Sequence, residues 1–208
     1  MTNASPHKKQ IARETALEKQ QRQTMMRNAA IAIVSVFVIG AIIFWVANET
    51  IQGQADQKRP EANPAEQTIP DEGRDHVAET TALTFNHYPP SSGIHYGRTA
   101  DLGALYEEPV AEGYWVHNLE HGDIVILYTC AGDCAGLKTQ IKLLMAEAPP
   151  RRCDLRRILA VPYSKNMATP ITVVAWGKQL DLPEFDSEAI LNFYKRYEDR
   201  GPETLGCP

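Results

Sequence analysis

The longest apolar segment of the chain lies near its N-terminus. Residues 29–47 read AAIAIVSVFVIGAIIFWVA, which is 19 residues without a charged side chain. As an α-helix at 1.5 Å per residue, this segment is about 28 Å long, close to the thickness of the hydrocarbon core of a bilayer. The apolar core of a cleaved signal peptide is shorter, about 7–15 residues. The sequence therefore predicts an uncleaved signal anchor that crosses the lipid bilayer once.

The segment that follows is polar. Residues 50–70 are rich in Gln, Ala, Pro and charged residues, and they contain almost no large apolar side chains. Such a segment cannot bury enough apolar surface to offset the conformational entropy that ordering would cost. We therefore predict a flexible stalk over 48–70, followed by a single globular domain over 71–208.

The apolar positions of this domain predict several strands. Residues 123–128 read DIVILY, a β-branched run of strand length that is typical of a central strand covered on both faces. Three further segments are strand candidates: 83–85, 158–161 and 171–176.

Two other segments have the spacing of helices. Apolar residues recur every three or four positions over 137–148, and Pro149-Pro150 would end that helix. A second apolar stripe over 190–197 predicts a terminal helix that Ser187 could cap. Strands and helices in this order indicate an α+β or α/β fold, with a mixed sheet packed against helices in one compact domain.

Charge is distributed unevenly about the predicted span. Of the 21 basic and 26 acidic residues in the chain, six basic and two acidic ones precede the span, which leaves 15 basic and 24 acidic residues after it. Basic residues flank membrane spans on the cytoplasmic side, so 1–28 is predicted to be a cytoplasmic arm and the domain to be extracytoplasmic. An acidic domain also argues against binding to nucleic acid. The six basic residues are Lys8, Lys9, Arg13, Lys19, Arg22 and Arg27.

All four cysteines follow the predicted span, which suits an oxidising compartment. Four cysteines allow three pairings, and we favour Cys130 with Cys134 and Cys153 with Cys207. The second bond would pin the C-terminus of the chain. Three residues separate Cys130 from Cys134, rather than the two of a thioredoxin-type pair, so a structural role is favoured over thiol chemistry.

Five of the six histidines lie between residues 76 and 121. His117 and His121 are four positions apart, with Glu120 beside the second. On a helix this spacing brings the two Cβ atoms to about 6 Å, so that both rings can bind one ion, whereas on a strand the distance is about 13 Å. Because Gly122 and a strand follow at once, we expect a short turn or loop here with little room for a long helix.

His76 and His95 are the best candidates for further metal ligands, and His87 is a weaker one. Imidazole ligands suit zinc or copper, and each ligand needs an acceptor for its second ring nitrogen. Glu120 or Asp75 could supply that acceptor. The sequence thus predicts a metal site at His76, His95, His117 and His121.

The string H-x-x-E-H also occurs in inverted zinc peptidases, where the Glu is a general base. Those motifs lie on long helices, so a hydrolase with Glu120 as its base is a secondary alternative. A third interpretation is that the histidines only hydrogen-bond the backbone of loops.

Several strings together resemble the bacterial domain-of-unknown-function family 3105. They are PPSSGIHY at 89–96 and VHNLEHG at 116–122, with G-x-x-H-V at 73–77 and G-x-x-Y-x-x-P at 103–109. The resemblance covers roughly residues 70–200. It implies a membrane-anchored extracytoplasmic domain and supplies no activity.

These observations lead to a main hypothesis and two alternatives. The main hypothesis is a single-pass protein of the cytoplasmic membrane whose outer domain binds zinc or copper, as an accessory or metal-handling component of a membrane assembly. The first alternative is a metal-free interaction module or a subunit of a membrane complex. The second is the metal-dependent hydrolase.

Overall fold

The computed structural model describes residues 19, 22, 24–28, 37–44, 59–150, 152–204 and 206–207. The chain divides into two units, Met1–Lys58 and Arg59–Pro208. In the first unit, 24–28 and 37–44 are helical. The described residues include no helix whose length and hydrophobicity would suffice for a bilayer crossing. Most of the predicted anchor, most of the cytoplasmic arm and residues 48–58 of the stalk lie outside the described residues, so these assignments stay predictions.

The second unit contains seven strands and three α-helices among its described residues. In chain order they are β1 (Glu66–Thr68), β2 (His76–Val77), β3 (His95–Tyr96), α1 (Glu112–Glu120), β4 (Ile124–Tyr128), α2 (Ala135–Glu147), β5 (Ile158–Pro162), β6 (Ile171–Ala175), β7 (Lys178–Leu182) and α3 (Ser187–Tyr197).

Five of these strands form one mixed sheet in the order β1-β7-β6-β4-β5. β4 is parallel to β5, and the other neighbouring pairs are antiparallel. The remaining strands, β2 and β3, form a separate parallel pair. The mixed sheet and its helices confirm the predicted α+β class.

The central strand β4 separates two apolar cores, because its side chains alternate between the faces of the sheet. Ile124, Ile126 and Tyr128 pack with buried residues of α2 and α3. Val125 and Leu127 pack instead in the cluster that contains the apolar residues of α1. All five side chains of β4 are buried, as the sequence predicts for a strand covered on both faces.

The start of the domain differs from the prediction. β1 lies inside the segment predicted as a flexible stalk, and it pairs with β7 at the edge of the sheet. The folded part therefore begins before Asp71, and the predicted boundary is wrong. β1 is short and polar, and it is held by side-chain contacts such as the hydrogen bond from the Tyr197 hydroxyl to Glu66 at 2.8 Å. Such a strand leaves no apolar pattern in the sequence.

Local assignments differ at three other places. Residues 83–85 do not form a strand. The cap of α3 is Asp186, whose carboxylate accepts a hydrogen bond from the Ala189 N–H at 2.9 Å, and not Ser187. The apolar pattern also did not indicate β7, because Lys178, Gln179 and Asp181 interrupt it.

Both favoured disulfides are present, Cys130–Cys134 and Cys153–Cys207. The first closes a loop at the start of α2. The second joins residues 54 positions apart and attaches Cys207, near the end of the chain, to the turn before β5. Disulfides form and persist in oxidising compartments, so this pair fits an extracellular or periplasmic domain.

Candidate metal centre

The parallel pairing of β2 and β3 brings two histidines side by side. His76 and His95 are direct partners in the register of this pair. The pairing continues into the preceding turns, where the Gly93 N–H donates to the Gly73 carbonyl at 2.8 Å and the His95 N–H donates to the Asp75 carbonyl at 3.1 Å. His76 and His95, which are 19 positions apart in the sequence, therefore lie on neighbouring strands.

Helix α1 supplies the other members of the cluster. It spans nine residues and carries both His117 and Glu120, so the expectation of a turn or loop here is wrong. The helix lies very close to β3 because residue 113 is a glycine. A Cβ atom there would lie 2.6 Å from the Tyr96 ring and 2.6 Å from Leu83. Gly113 lies one turn before His117, so this close approach positions the imidazole.

Three imidazoles and one carboxylate converge between these elements. One ligand atom from each of His76, His95, His117 and Glu120 lies within 4.8 Å of all the others. The ring centroids of the three histidines are 4.7–4.9 Å apart. His95, His117 and Glu120 are buried, whereas the side chain of His76 is 48% exposed. The cluster therefore has one side open to solvent.

Glu120 lies in the middle of the cluster. Its Oε2 is 3.0 Å from Nε2 of His95 and 3.5 Å from Nε2 of His76. Two ligand atoms that bind one tetrahedral zinc ion at 2.0–2.1 Å are about 3.3 Å apart. The two distances from Glu120 to His95 and to His76 therefore lie on either side of the separation that a bound ion would need.

The orientation of His95 fixes which of its nitrogens carries the hydrogen. Nδ1 lies 2.8 Å from the carbonyl oxygen of Gly93, which can only accept, so Nδ1 donates. In the neutral ring, Nε2 then presents a lone pair to the carboxylate oxygen of Glu120 at 3.0 Å. Two facing acceptors repel each other unless a proton or a metal cation lies between them.

His117 has an unsatisfied nitrogen. Its Nδ1 is buried and has no hydrogen-bond partner among the described residues. Burial, followed by the neighbouring imidazoles of His121, His95 and His76, lowers the pKa of His117 below its usual range. A neutral imidazole with a free lone pair is the form that binds a metal ion.

His121 lies at the edge of the cluster beside a residue from the C-terminal segment. The centroid of its ring is 4.4 Å from that of His117, and its Nε2 is 3.1 Å from Oε2 of Glu203. His117, Glu120, His121 and Glu203 form a second group whose ligand atoms also lie within 4.8 Å of one another. Of the four histidines predicted as ligands, three thus share one group, and His121 belongs to an overlapping one.

Glu203 reaches this position because the C-terminal segment, residues 199–203, packs against the end of α1. The Asp199 N–H donates to the Gly122 carbonyl at 2.8 Å, and the Glu203 N–H donates to the Glu120 carbonyl at 3.0 Å. Gly201 lies so close to the Glu120 carbonyl that any side chain there would overlap it.

Residues 76–207 match the family described as protein of unknown function (DUF3105). The chain belongs to this family. The match covers more than half of the chain and contains every residue of both groups, and it confirms the resemblance inferred from the sequence. Comparisons with curated proteins and with solved structures found no match.

In this DUF3105 domain, two further residues that the sequence suggested for the metal site do not have the predicted role. They are His87, suggested as a ligand, and Asp75, suggested as an acceptor for a ligand. His87 pairs through Nε2 with Oε1 of Gln179 at 2.8 Å. Asp75 contributes its backbone carbonyl to the β2–β3 pairing, and the acceptor for His95 is the Gly93 carbonyl.

The placement of Glu120 also bears on the hydrolase alternative. A general base must face a water molecule, whereas this carboxylate is buried against His95 and His76. Glu120 is one of the four residues whose candidate ligand atoms converge, a placement that the sequence pattern did not predict. Glu203 was not predicted from the sequence either. The favoured Cys153–Cys207 bond was the one signal that the C-terminus is held, but it did not indicate against what.

Proposed function

We propose that this domain binds a transition metal ion through His76, His95, His117 and Glu120, and that it handles metal outside the cytoplasm. The observation that carries the proposal is the contact of His95 Nε2 with Glu120 at 3.0 Å while Nδ1 is committed to Gly93. A cation between the two acceptors turns a repulsive contact into two bonds.

The ligand set supports zinc or copper. Three imidazoles and one carboxylate match the nitrogen and oxygen donors that these ions take, and four such ligands fit a tetrahedral zinc ion. The unsatisfied Nδ1 of His117 supports the same interpretation, since burying a polar atom without a partner costs free energy that a metal bond would offset.

The open side of the cluster supports a role in handling metal rather than in storing it. His76 is half-exposed, so an ion at this site would be reachable by water or by a ligand from another molecule. The part of the chain after residue 47 has 15 basic and 24 acidic residues, and this net negative charge favours the approach of cations. The apolar segment 29–47 would tether the domain to the cytoplasmic membrane, where a membrane assembly could exchange metal with it.

The test is the metal content of the purified full-length protein after equilibration with Zn²⁺ or Cu²⁺, measured by mass spectrometry. We expect bound metal in the wild type and weaker retention in His95→Gln and in the more exposed variant His76→Gln. His87→Gln is the matched control, because His87 lies outside the cluster and should leave the metal content unchanged.

Two results would contradict the proposal. One is a wild-type protein that retains neither metal and whose thermal stability does not change on chelation, which would instead support a metal-free interaction module. The other is a metal content that both cluster variants leave intact, because the ion would then bind elsewhere.

A further inference from the structure

The two overlapping groups contain more ligands than one tetrahedral ion can use. His76 and His95 belong only to the first group, His121 and Glu203 belong only to the second, and His117 and Glu120 are common to both. Four ligands complete a tetrahedral site. One ion in either group would therefore leave two side chains of the other group beside it without a role in its binding.

Backbone contacts of the C-terminal segment hold Glu203 beside α1. Glu203 is held by its own N–H on the Glu120 carbonyl and by the close packing of Gly201 on the same carbonyl. The Cys153–Cys207 bond anchors the chain four residues further on. These constraints fix the backbone around Glu203, and the Glu203 carboxylate lies beside His121.

The two residues common to both groups, Glu120 and His117, lie where they could connect two bound ions. A carboxylate has two oxygens and can bind two cations, and Glu120 is buried between the two groups. The ring of His117 lies 4.4 Å from that of His121 and 4.7 Å from that of His76, and its buried Nδ1 has no partner in the described part of the chain.

We propose that the cluster is a two-metal centre. One ion binds to His76, His95 and Glu120, the second binds to His121, Glu203 and Glu120, and His117 completes the coordination of one of them. Carboxylate-bridged pairs of ions lie about 3.5–4 Å apart. This inference rests on the proposed function and extends it from one ion to two.

The test uses Zn²⁺ bound to the purified full-length protein. We expect two zinc ions per chain by mass spectrometry, and X-ray absorption should show zinc–zinc scattering at about 3.5–4 Å. Glu203→Gln and His121→Gln should each reduce the stoichiometry to one. Glu184→Gln is the matched control, because Glu184 is an exposed carboxylate that belongs to neither group.

The outcomes separate this inference from the proposed function. One zinc ion per chain in the wild type, unaffected by Glu203→Gln, would overturn the two-metal centre and leave the proposed function standing. Two zinc ions that Glu203→Gln and His121→Gln do not reduce, or two ions without zinc–zinc scattering, would also overturn it. If the wild type binds none, both proposals are wrong. The scattering measurement needs only the wild type, so it decides even if a variant misfolds.

Discussion

The central sheet and the histidine cluster are both buried, but they bury opposite kinds of chemistry. β4 presents five buried side chains to two apolar cores, and its backbone pairs with β5 on one side and β6 on the other. The cluster buries a contact between His95 Nε2 and Glu120 that needs a proton or a metal cation between the two atoms, and it buries an unsatisfied nitrogen on His117. Burial of apolar surface stabilises a fold, whereas burial of unpaired polar atoms destabilises it.

This difference separates the part of the domain that provides stability from the part that provides function. The sheet needs nothing from outside the chain, whereas the proposed function requires the cluster to take up a metal cation. Substitutions in the sheet should therefore change stability and leave metal binding intact. Substitutions in the cluster should do the reverse.

The Cys153–Cys207 bond connects the two parts, so removing it should affect both. The loop it closes spans 54 positions, and loop-closure entropy predicts a loss of about 4 kcal/mol in the free energy of unfolding for Cys153→Ser with Cys207→Ser. Metal content should also fall, because Glu203 loses its anchor. Urea denaturation and metal analysis measure the two effects.

The other disulfide is the control for this prediction. Cys130 and Cys134 are four positions apart, so their replacement by serine should cost about 2 kcal/mol. They lie at the start of α2, away from the C-terminal segment, and metal content should not change. Equal losses of metal in the two double variants would show that the C-terminal segment has no special role.

A single substitution in the sheet isolates its contribution. Ile126 is fully buried in the core formed with α2 and α3, on the face of the sheet opposite α1. Ile126→Ala should lower the free energy of unfolding by about 2–5 kcal/mol, and Ile126→Val by about 0.5–1.5 kcal/mol. Both folded variants should bind as much metal as the wild type. A proportionate loss of metal would mean that the two regions are not independent.

The same division explains what the sequence could predict. The buried strands β4, β5 and β6 and the helices α2 and α3 are specified by their own apolar residues, and their positions follow from local pattern. The edge strand β1 and the interrupted strand β7 depend on pairing with each other. That pairing involves residues more than 100 positions apart, and no local pattern encodes it.

The histidines of the candidate site could be predicted from the sequence, but their arrangement in space could not. Clustering in the sequence indicated His76, His95, His117 and His121 as candidate ligands, and the structure brings them into two overlapping groups. The placement of Glu120 as a ligand depends on α1 being a helix that lies against β3, and Gly113 permits that contact. The contribution of Glu203 depends on the fold of the C-terminal segment, which brings Glu203 to His121 from 82 positions away.

Gly113 offers a smaller test, directed at the contact between α1 and β3. Gly113→Ala puts a Cβ atom 2.6 Å from the Tyr96 ring and 2.6 Å from Leu83, so either these side chains or the helix must shift, and we expect α1 to move outward. Overpacking of this kind costs about 1–3 kcal/mol, and a shift of α1 moves His117 and Glu120 relative to His95. We expect a lower free energy of unfolding together with weaker zinc binding, measured by urea denaturation and by competition with a chromophoric chelator.

Gly136 is the matched control, because it also lies in a helix, α2, and a Cβ atom added there would have nothing within 4 Å of it. Gly136→Ala should stabilise the protein by up to about 1 kcal/mol and leave zinc affinity unchanged. If Gly113→Ala were as stable as the wild type, the close approach of α1 to β3 would not constrain the cluster.

The smallest expected change in intrinsic stability is at His76. Its side chain is 48% exposed, so His76→Gln should alter the free energy of unfolding of the metal-free protein by less than about 0.5 kcal/mol. The effect should appear only when zinc is added. At a zinc concentration 100 times its dissociation constant, binding stabilises the wild type by about 2.7 kcal/mol.

If loss of this ligand weakens binding 100-fold, the same zinc concentration stabilises His76→Gln by only about 0.4 kcal/mol. Thermal unfolding with and without zinc measures this difference, and His87→Gln should behave as the wild type does because its ring pairs with Gln179 outside the cluster. A variant that is destabilised without zinc and still gains as much from zinc as the wild type would reverse the comparison. His76 would then support the fold, and the open side of the cluster would not bind the ion.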